Sequence, residues 1–140
     1  MNAEFFLDTN VLVNSFDEDC SDKRKRSREL IQHALSSGKG AISWQVMQEF
    51  MNAALHKWEK PISHNAASLY IDSVLQPLCR VFPSMNLYSS ALRISEQTKY
   101  SYYDSLIIAS AISSGASELY TEDMKESREF EGLVIQNPYK

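Results

Sequence analysis

Four acidic side chains stand at positions where a carboxylate could do chemistry. Asp8 closes a short apolar run, Glu4 to Leu7, and Asp123 follows another, Glu118 to Thr121. Glu49 and Asp104 fall early in two apolar-periodic segments, Gln45 to Trp58 and Tyr102 to Ser114. Gathered in one hollow, four carboxylates repel, and some must stay protonated. A divalent cation removes the conflict. Mg²⁺ suits such a set, because it takes oxygen ligands and keeps several waters. A metal so placed lowers the pKa of a water and steadies charge on a phosphate.

Each acid also has a purely structural use. Asp8 fits as the cap of a helix beginning at Val11, and Asp123 as the cap of a turn before Lys125. Ser101 and Asp104 have the spacing of a capping box. Glu49 shares a helix face with Gln45, Gln48, Asn52 and His56, opposite the apolar stripe, which reads as solvent-facing. Asp104 precedes Ile107 and Ile108 by three and four residues, at the edge of a buried stripe. A carboxylate there needs a partner or a metal. Spacing alone leaves both uses open.

The elements that must position these residues alternate in type. Strands are expected at Glu4–Leu7, Ala41–Ser43, Cys79–Phe82, Glu118–Thr121 and Leu133–Gln136. A short helix is expected from Val11, and a longer one over Lys23–Ser36, ended by Gly38. Met47, Phe50, Met51, Ala54, Leu55 and Trp58 recur at helical spacing, which predicts a helix over Gln45–Trp58. Another is expected from Ser63 or His64, stopping before Pro77. Two more are expected over Leu87–Thr98 and Tyr102–Ser114. Short apolar strands between helices predict an α/β fold with a mainly parallel sheet covered on both faces. In such sheets ligands bind beyond the carboxyl ends of the strands, which is where Asp8 and Asp123 fall.

A length of 140 residues predicts one domain spanning residues 1–140. The composition is 44% hydrophobic and 23% charged, which supports one core and excludes a disordered chain. Cys20 and Cys79 stand alone, so neither a zinc site nor a disulfide framework is expected. No apolar segment has the length of a membrane span, and the first residues lack a basic leader, so a cytoplasmic protein is expected. The net charge of −4 gives no global attraction for nucleic acid. Any RNA contact must come from a local patch, and Lys23, Arg24, Lys25, Arg26 and Arg28 form one. Asp17, Glu18, Asp19, Asp22 and Glu29 flank it, as on a solvated helix face. Cations in a first helical turn oppose its dipole, so stability gives them no obvious motive.

Four blocks carry a resemblance. They are Phe6-Leu7-Asp8-Thr9-Asn10-Val11-Leu12; Ile42-Ser43 with Gln45-Val46 and Glu49-Phe50; Tyr103-Asp104-Ser105-Leu106-Ile107-Ile108-Ala109-Ser110-Ala111; and Leu119-Tyr120-Thr121-Glu122-Asp123-Met124. In this order, with the closing Ile135-Gln136-Asn137-Pro138-Tyr139, the chain resembles the PIN domain family, and within it the VapC-like toxin ribonucleases. The resemblance implies a three-layer α/β/α sandwich. It implies that Asp8, Glu49, Asp104 and Asp123 hold one or two Mg²⁺ or Mn²⁺ ions, with Asn10 and Thr121 in support and Glu122 a lesser candidate. It also implies hydrolysis within an RNA strand without a covalent intermediate, a homodimer, and an antitoxin partner. The antitoxin groove is expected among the helices Lys23–Ser36, Gln45–Trp58 and Ser63–Gln76, where Trp44, Met47, Met51 and Trp58 are either groove or core. Two other readings compete. One is a non-catalytic module binding RNA or protein through the same cleft. The other is a phosphatase with Asp8 as covalent nucleophile, which would want a second acid where Asn10 stands.

Overall fold

The first strand is too short to be stable alone, and everything in the fold is arranged around it. In the computed structural model, which describes residues 2–124 and 128–140, β1 is Phe5–Leu7 and all three of its side chains are buried. Successive strand side chains point to opposite faces. A strand buried at every position therefore has cover on both sides. The same holds for β2, Gly40–Ser43.

The remaining elements are α1 (Thr9–Asn14), α2 (Ser21–Ser37), α3 (Trp44–Asn52), α4 (His64–Tyr70), α5 (Gln76–Leu78), β3 (Cys79–Val81), α6 (Met85–Thr98), α7 (Tyr102–Ser113), β4 (Glu118–Tyr120), β5 (Arg128–Phe130) and β6 (Leu133–Gln136). The six strands lie in the order β3-β2-β1-β4-β6-β5. All pairs are parallel except β5 with β6. Phe6 sits at the centre, level with Ala41 of β2 and Leu119 of β4. This is the expected α/β/α sandwich with a mainly parallel sheet.

From β1 the chain steps to β2 and β3 on one side, then returns to β4 and β6 on the other. The switch point therefore lies between β1 and β4. Crevices at the carboxyl ends of such strands are where α/β proteins bind ligands.

Four local expectations need correction. The helix expected over Gln45–Trp58 is regular only to Asn52, widens into a π turn over Ala53–Lys57, and leaves Trp58 extended. The helix from His64 does not stop before Pro77. A π turn over Ile71–Leu75 passes the chain on to Leu78, since the wider turn tolerates a residue without an N–H. The strand β5 was not anticipated, because Arg128-Glu129-Phe130 lacks an apolar run. It pairs with β6 across Glu131 and Gly132, whose φ values of 49° and 86° give a primed hairpin turn. The fourth concerns the basic run. The helix begins at Ser21, so Lys23 to Arg28 extend beyond its first turn. Four of the five also have partners. Lys23 pairs with Glu122, and Arg24, Arg26 and Arg28 donate to the carbonyls of Asp17, Pro138 and Ser15. The run therefore makes structural contacts that its sequence does not reveal. The turn expected before Lys125 lies outside the described residues.

The core runs through Phe6, Leu7, Leu12, Ile42, Phe50, Ile108, Leu119 and Ile135, all essentially without exposure. Beside it, Phe50 stacks on Tyr70 at 4.7 Å and Phe16 packs on Trp58 at 5.3 Å, tying α3, α4 and the loop after α1. Trp44, Met47, Met51 and Trp58 are partly buried against this core.

Gly40 lets α2 lie close on the sheet. A Cβ there would stand 2.8 Å from Cε2 of Phe5 and would run into the Ala34 side chain. Neither neighbour can yield, because both are packed. Gly40→Ala is expected to cost about 1–3 kcal/mol by overpacking, lowering the melting temperature by several degrees in a thermal melt. An unchanged melt would show that α2 has room to lift.

Candidate active site

Asp8 lies where β1 hands over to α1, at the switch point. Its N–H donates to the Tyr120 carbonyl, which keeps it in line with β4. Its carboxylate is the N-cap of α1, with Oδ1 accepting the Thr9 N–H at 2.7 Å. Oδ2 accepts the Thr121 hydroxyl at 2.8 Å. The side chain is only 6% exposed. Burial pushes its pKa up to about 7, with smaller upward contributions from the Glu49 and Asp123 charges; the bonds from Thr121 and Thr9 pull the other way.

Asn10, in the first turn of α1, joins the two strand ends. Its Nδ2 reaches Thr121 Oγ1 at 3.0 Å, Asp123 Oδ2 at 3.1 Å and Asp8 Oδ2 at 3.4 Å. Its Oδ1 accepts the Glu122 N–H at 3.3 Å. Thr121 Oγ1 also accepts the Asp123 N–H at 3.1 Å. One amide and one hydroxyl thus fix Asp8 and Asp123 relative to each other.

Glu49 enters from α3. Its helix starts at Ser43, whose hydroxyl caps the Val46 N–H. Oε1 of Glu49 accepts the Thr9 hydroxyl at 2.6 Å, and Oε2 faces Gln45 Nε2 at 3.4 Å. Glu49 is exposed, as its helix face suggests. Gln45, on the same face, is not. It is 5% exposed, because the first turn of α7 covers it, and its Nε2 also donates to the Tyr103 carbonyl at 3.2 Å. Its Oε1 is buried without a partner.

Asp104 comes from that first turn of α7. Ser101 caps it by accepting the Asp104 N–H at 3.1 Å, so the capping pair is real and coexists with placement at the site. Its carboxyl is shifted upward, chiefly by burial, then by the charges of Asp123 and Glu49. Asp8 and Asp104 both feel Asp123 and Glu49, so the four acids share one electrostatic environment.

Among the described residues no Lys, Arg or His is ion-paired with any of the four. Four carboxylates without a cation ask for one. The donors are all oxygen, which fits Mg²⁺ or Mn²⁺ and not zinc. However, among the described residues no three acidic, His or Cys side chains converge as a ready ligand group. Asp8, Glu49, Asp104 and Asp123 are the residues that would hold such an ion, supplying oxygen ligands only.

The sequence of residues 5–128 matches the family model for the PIN domain. The chain belongs to the PIN domain family. No curated protein matches it in sequence. Its fold is similar to a chain of a toxin–antitoxin complex from Klebsiella pneumoniae, with 21% identity, 99% of each chain covered and a TM-score of 0.68. It is similar to a chain of DNA-bound VapBC from Salmonella typhimurium, with 18% identity, 97% of this chain and 98% of that one covered, and a TM-score of 0.66. A sarcin–ricin loop cleaving VapC toxin from Mycobacterium tuberculosis aligns with 18% identity, 86% and 90% coverage and a TM-score of 0.59.

Two residues of this PIN domain's site were not singled out in the sequence. Thr9 carried no signal except its place between Asp8 and Asn10. Gln45 carried one, four residues before Glu49 on the same face, and it was read as solvent-facing.

The upward shift of Asp8 has a consequence for the metal-free fold. The folded value of about 7 lies above the ordinary 3.8. As pH rises between the two, the unfolded chain ionises first, so stability is present below about 4 and is lost toward 7. Asp8→Asn cannot ionise. In metal-free buffer it is expected to melt several degrees above the unsubstituted protein at pH 8, and to lose that advantage at pH 4, the difference being at most about 4 kcal/mol. Equal melting at pH 8 would show that Asp8 bears no burial penalty.

Proposed function

We propose that this PIN domain is a metal-dependent endoribonuclease that hydrolyses phosphodiester bonds within RNA, and that it is the toxin of a toxin–antitoxin pair. One observation carries the reading. Buried Asp8 and half-buried Asp104 both feel the charges of Glu49 and Asp123, and no basic side chain among the described residues is ion-paired with any of the four. Asp8 is buried with no ion-pair partner among the described residues, which is costly for an acid with a purely structural role. Membership of the PIN family and the likeness to VapC chains support the same reading.

In this reading Asp8, Glu49, Asp104 and Asp123 would hold one or two Mg²⁺ or Mn²⁺ ions. When bound, the ion lowers the pKa of a water and neutralises charge on the phosphate. The chain's own residues do the rest. Thr9 and Thr121 hold both Asp8 oxygens, and Asn10 keeps Asp123 beside them. The Asp104 carboxyl, raised by burial, orients the attacking water and accepts its proton. Water attacks phosphorus directly, since Asn10 stands where an aspartate-nucleophile phosphatase would want a second acid.

RNA approaches a chain of net charge −4, so local cations matter. Lys25 is exposed and free among the described residues, and Arg24, Arg26 and Arg28 keep donors beyond those they use internally. We assign these four to the RNA backbone. The antitoxin is assigned to a cleft of about 560 Å³ where Val13, Phe16, Trp58 and Ile62 are ringed by Asp17, Glu18, Asp19, Glu59 and Lys60; of the helices among which the groove was expected, only Gln45–Trp58 reaches it. The reading includes a homodimer in the cytoplasm; among the described residues no helix is long and apolar enough to cross a membrane.

Purified protein incubated with single-stranded RNA is expected to cut it with Mg²⁺ or Mn²⁺ and to stop in EDTA. Asp8→Asn and Asp104→Asn should each lower kcat by about 10²–10⁴-fold while far-UV circular dichroism stays unchanged. Undiminished cutting in EDTA, or by either variant, would overturn the assignment.

A further inference from the structure

Asp123 sits just beyond β4 on residues that belong to neither a helix nor a strand. Its neighbour Glu122 carries the fastening. The Glu122 carboxylate accepts Lys23 Nζ at 2.9 and 3.3 Å and Asn14 Nδ2 at 3.2 Å. Lys23 in turn lies 5.5 Å from the centre of the Tyr139 ring. The Tyr139 hydroxyl meets Ser27 Oγ at 2.6 Å, and Arg26 Nε donates to the Pro138 carbonyl at 3.1 Å. The end of α1, the first half of α2 and the segment after β6 thus converge on one side chain next to Asp123.

A pair with side chains 39% and 21% exposed adds little to stability, so stability does not account for this convergence. Geometry does. Glu122 and Asp123 are adjacent, and the Glu122 N–H is already on Asn10. With the side chain held on α2 and the backbone held on α1, Asp123 is left little freedom.

We propose that Lys23 and Glu122 are positioning residues that fix Asp123 and thereby set the affinity of the acidic hollow for its divalent cation. The proposal rests on the metal-dependent reading above, and it takes Lys23 out of the RNA-contacting run in which the sequence had placed it. Partners one step removed from a metal ligand typically change affinity by 10–100-fold when lost.

Three variants test it: Lys23→Met, Glu122→Gln and the conservative Lys23→Arg. Mn²⁺ binding is measured by calorimetry without RNA, and kcat and KM are measured on RNA. Lys23→Met and Glu122→Gln are each expected to weaken Mn²⁺ binding about tenfold and lower kcat at limiting metal. KM for RNA should stay within about twofold, which is the order of one exposed ion pair. Lys23→Arg should retain Mn²⁺ affinity. Unchanged Mn²⁺ affinity in both disruptive variants overturns the proposal. So does a rise in KM for Lys23→Met alone, which would mark Lys23 as a direct RNA contact. Unsubstituted protein that binds Mn²⁺ but cuts no RNA would overturn the nuclease reading, and the Mn²⁺ comparison would still decide this one. Protein that binds no Mn²⁺ overturns both.

Discussion

A carboxylate buried at the end of a central strand is costly wherever it occurs, and here it stands among three others. Asp8 is nearly without exposure, and burial is the largest cause that lifts its pKa to about 7. The fold answers with donors and not with cations. A helix N-terminal amide, a threonine hydroxyl and an asparagine amide are all aimed at this one group. Such donors lower the cost of the charge without neutralising it. What remains is a standing demand for positive charge, which a mobile ion can meet and release. An arginine in the same place would be permanent and would abolish the site.

The topology supplies this arrangement with few residues. β1 lies between β2 and β4, so the chain diverges on leaving it and the sheet opens a crevice at its carboxyl end. Asp8 and the Thr121–Asp123 segment are delivered to opposite lips of that crevice by strands paired in register, Leu7 with Tyr120. α3 and α7 then each bring one more acid. Gln45 welds the two helices, because one amide nitrogen serves the Glu49 carboxylate and the Tyr103 carbonyl together.

Much of this was legible in the sequence, for a physical reason. Buried parallel strands are short apolar runs, and the acids that follow them end the run visibly, as Leu7-Asp8 does. The stripe expected at Ile107, Ile108, Ala111 and Ile112 marked α7 as a core helix, although the structure buries every residue from Ser105 to Ala111. What was hidden depends on contacts between distant segments. Gln45 looks solvent-facing until α7 is laid over it. The partners of Lys23, Arg26 and Arg28 lie 99, 112 and 13 residues away, so the basic run looked unemployed. β5 exists only because β6 gives it a partner. The π turn before Pro77 is a compromise between a proline and a helix that tertiary packing wants to continue.

Capping and metal chemistry were framed in the sequence as rival uses of the same acids, and the structure removes the rivalry. Asp8 caps α1 with Oδ1 and keeps Oδ2 toward Asn10 and Thr121. Asp104 sits in a first turn capped by Ser101, where a helix terminus favours negative charge. A helix N-terminus is one of the few environments in which a half-buried carboxylate is tolerated before any ion arrives. Glu49 has no such terminus and needs no such help. It lies beyond the first turn of α3, remains exposed, and is held by a hydroxyl and an amide alone. Asp8, the most buried of the four, has the most backbone support, while Glu49 and Asp123 are exposed.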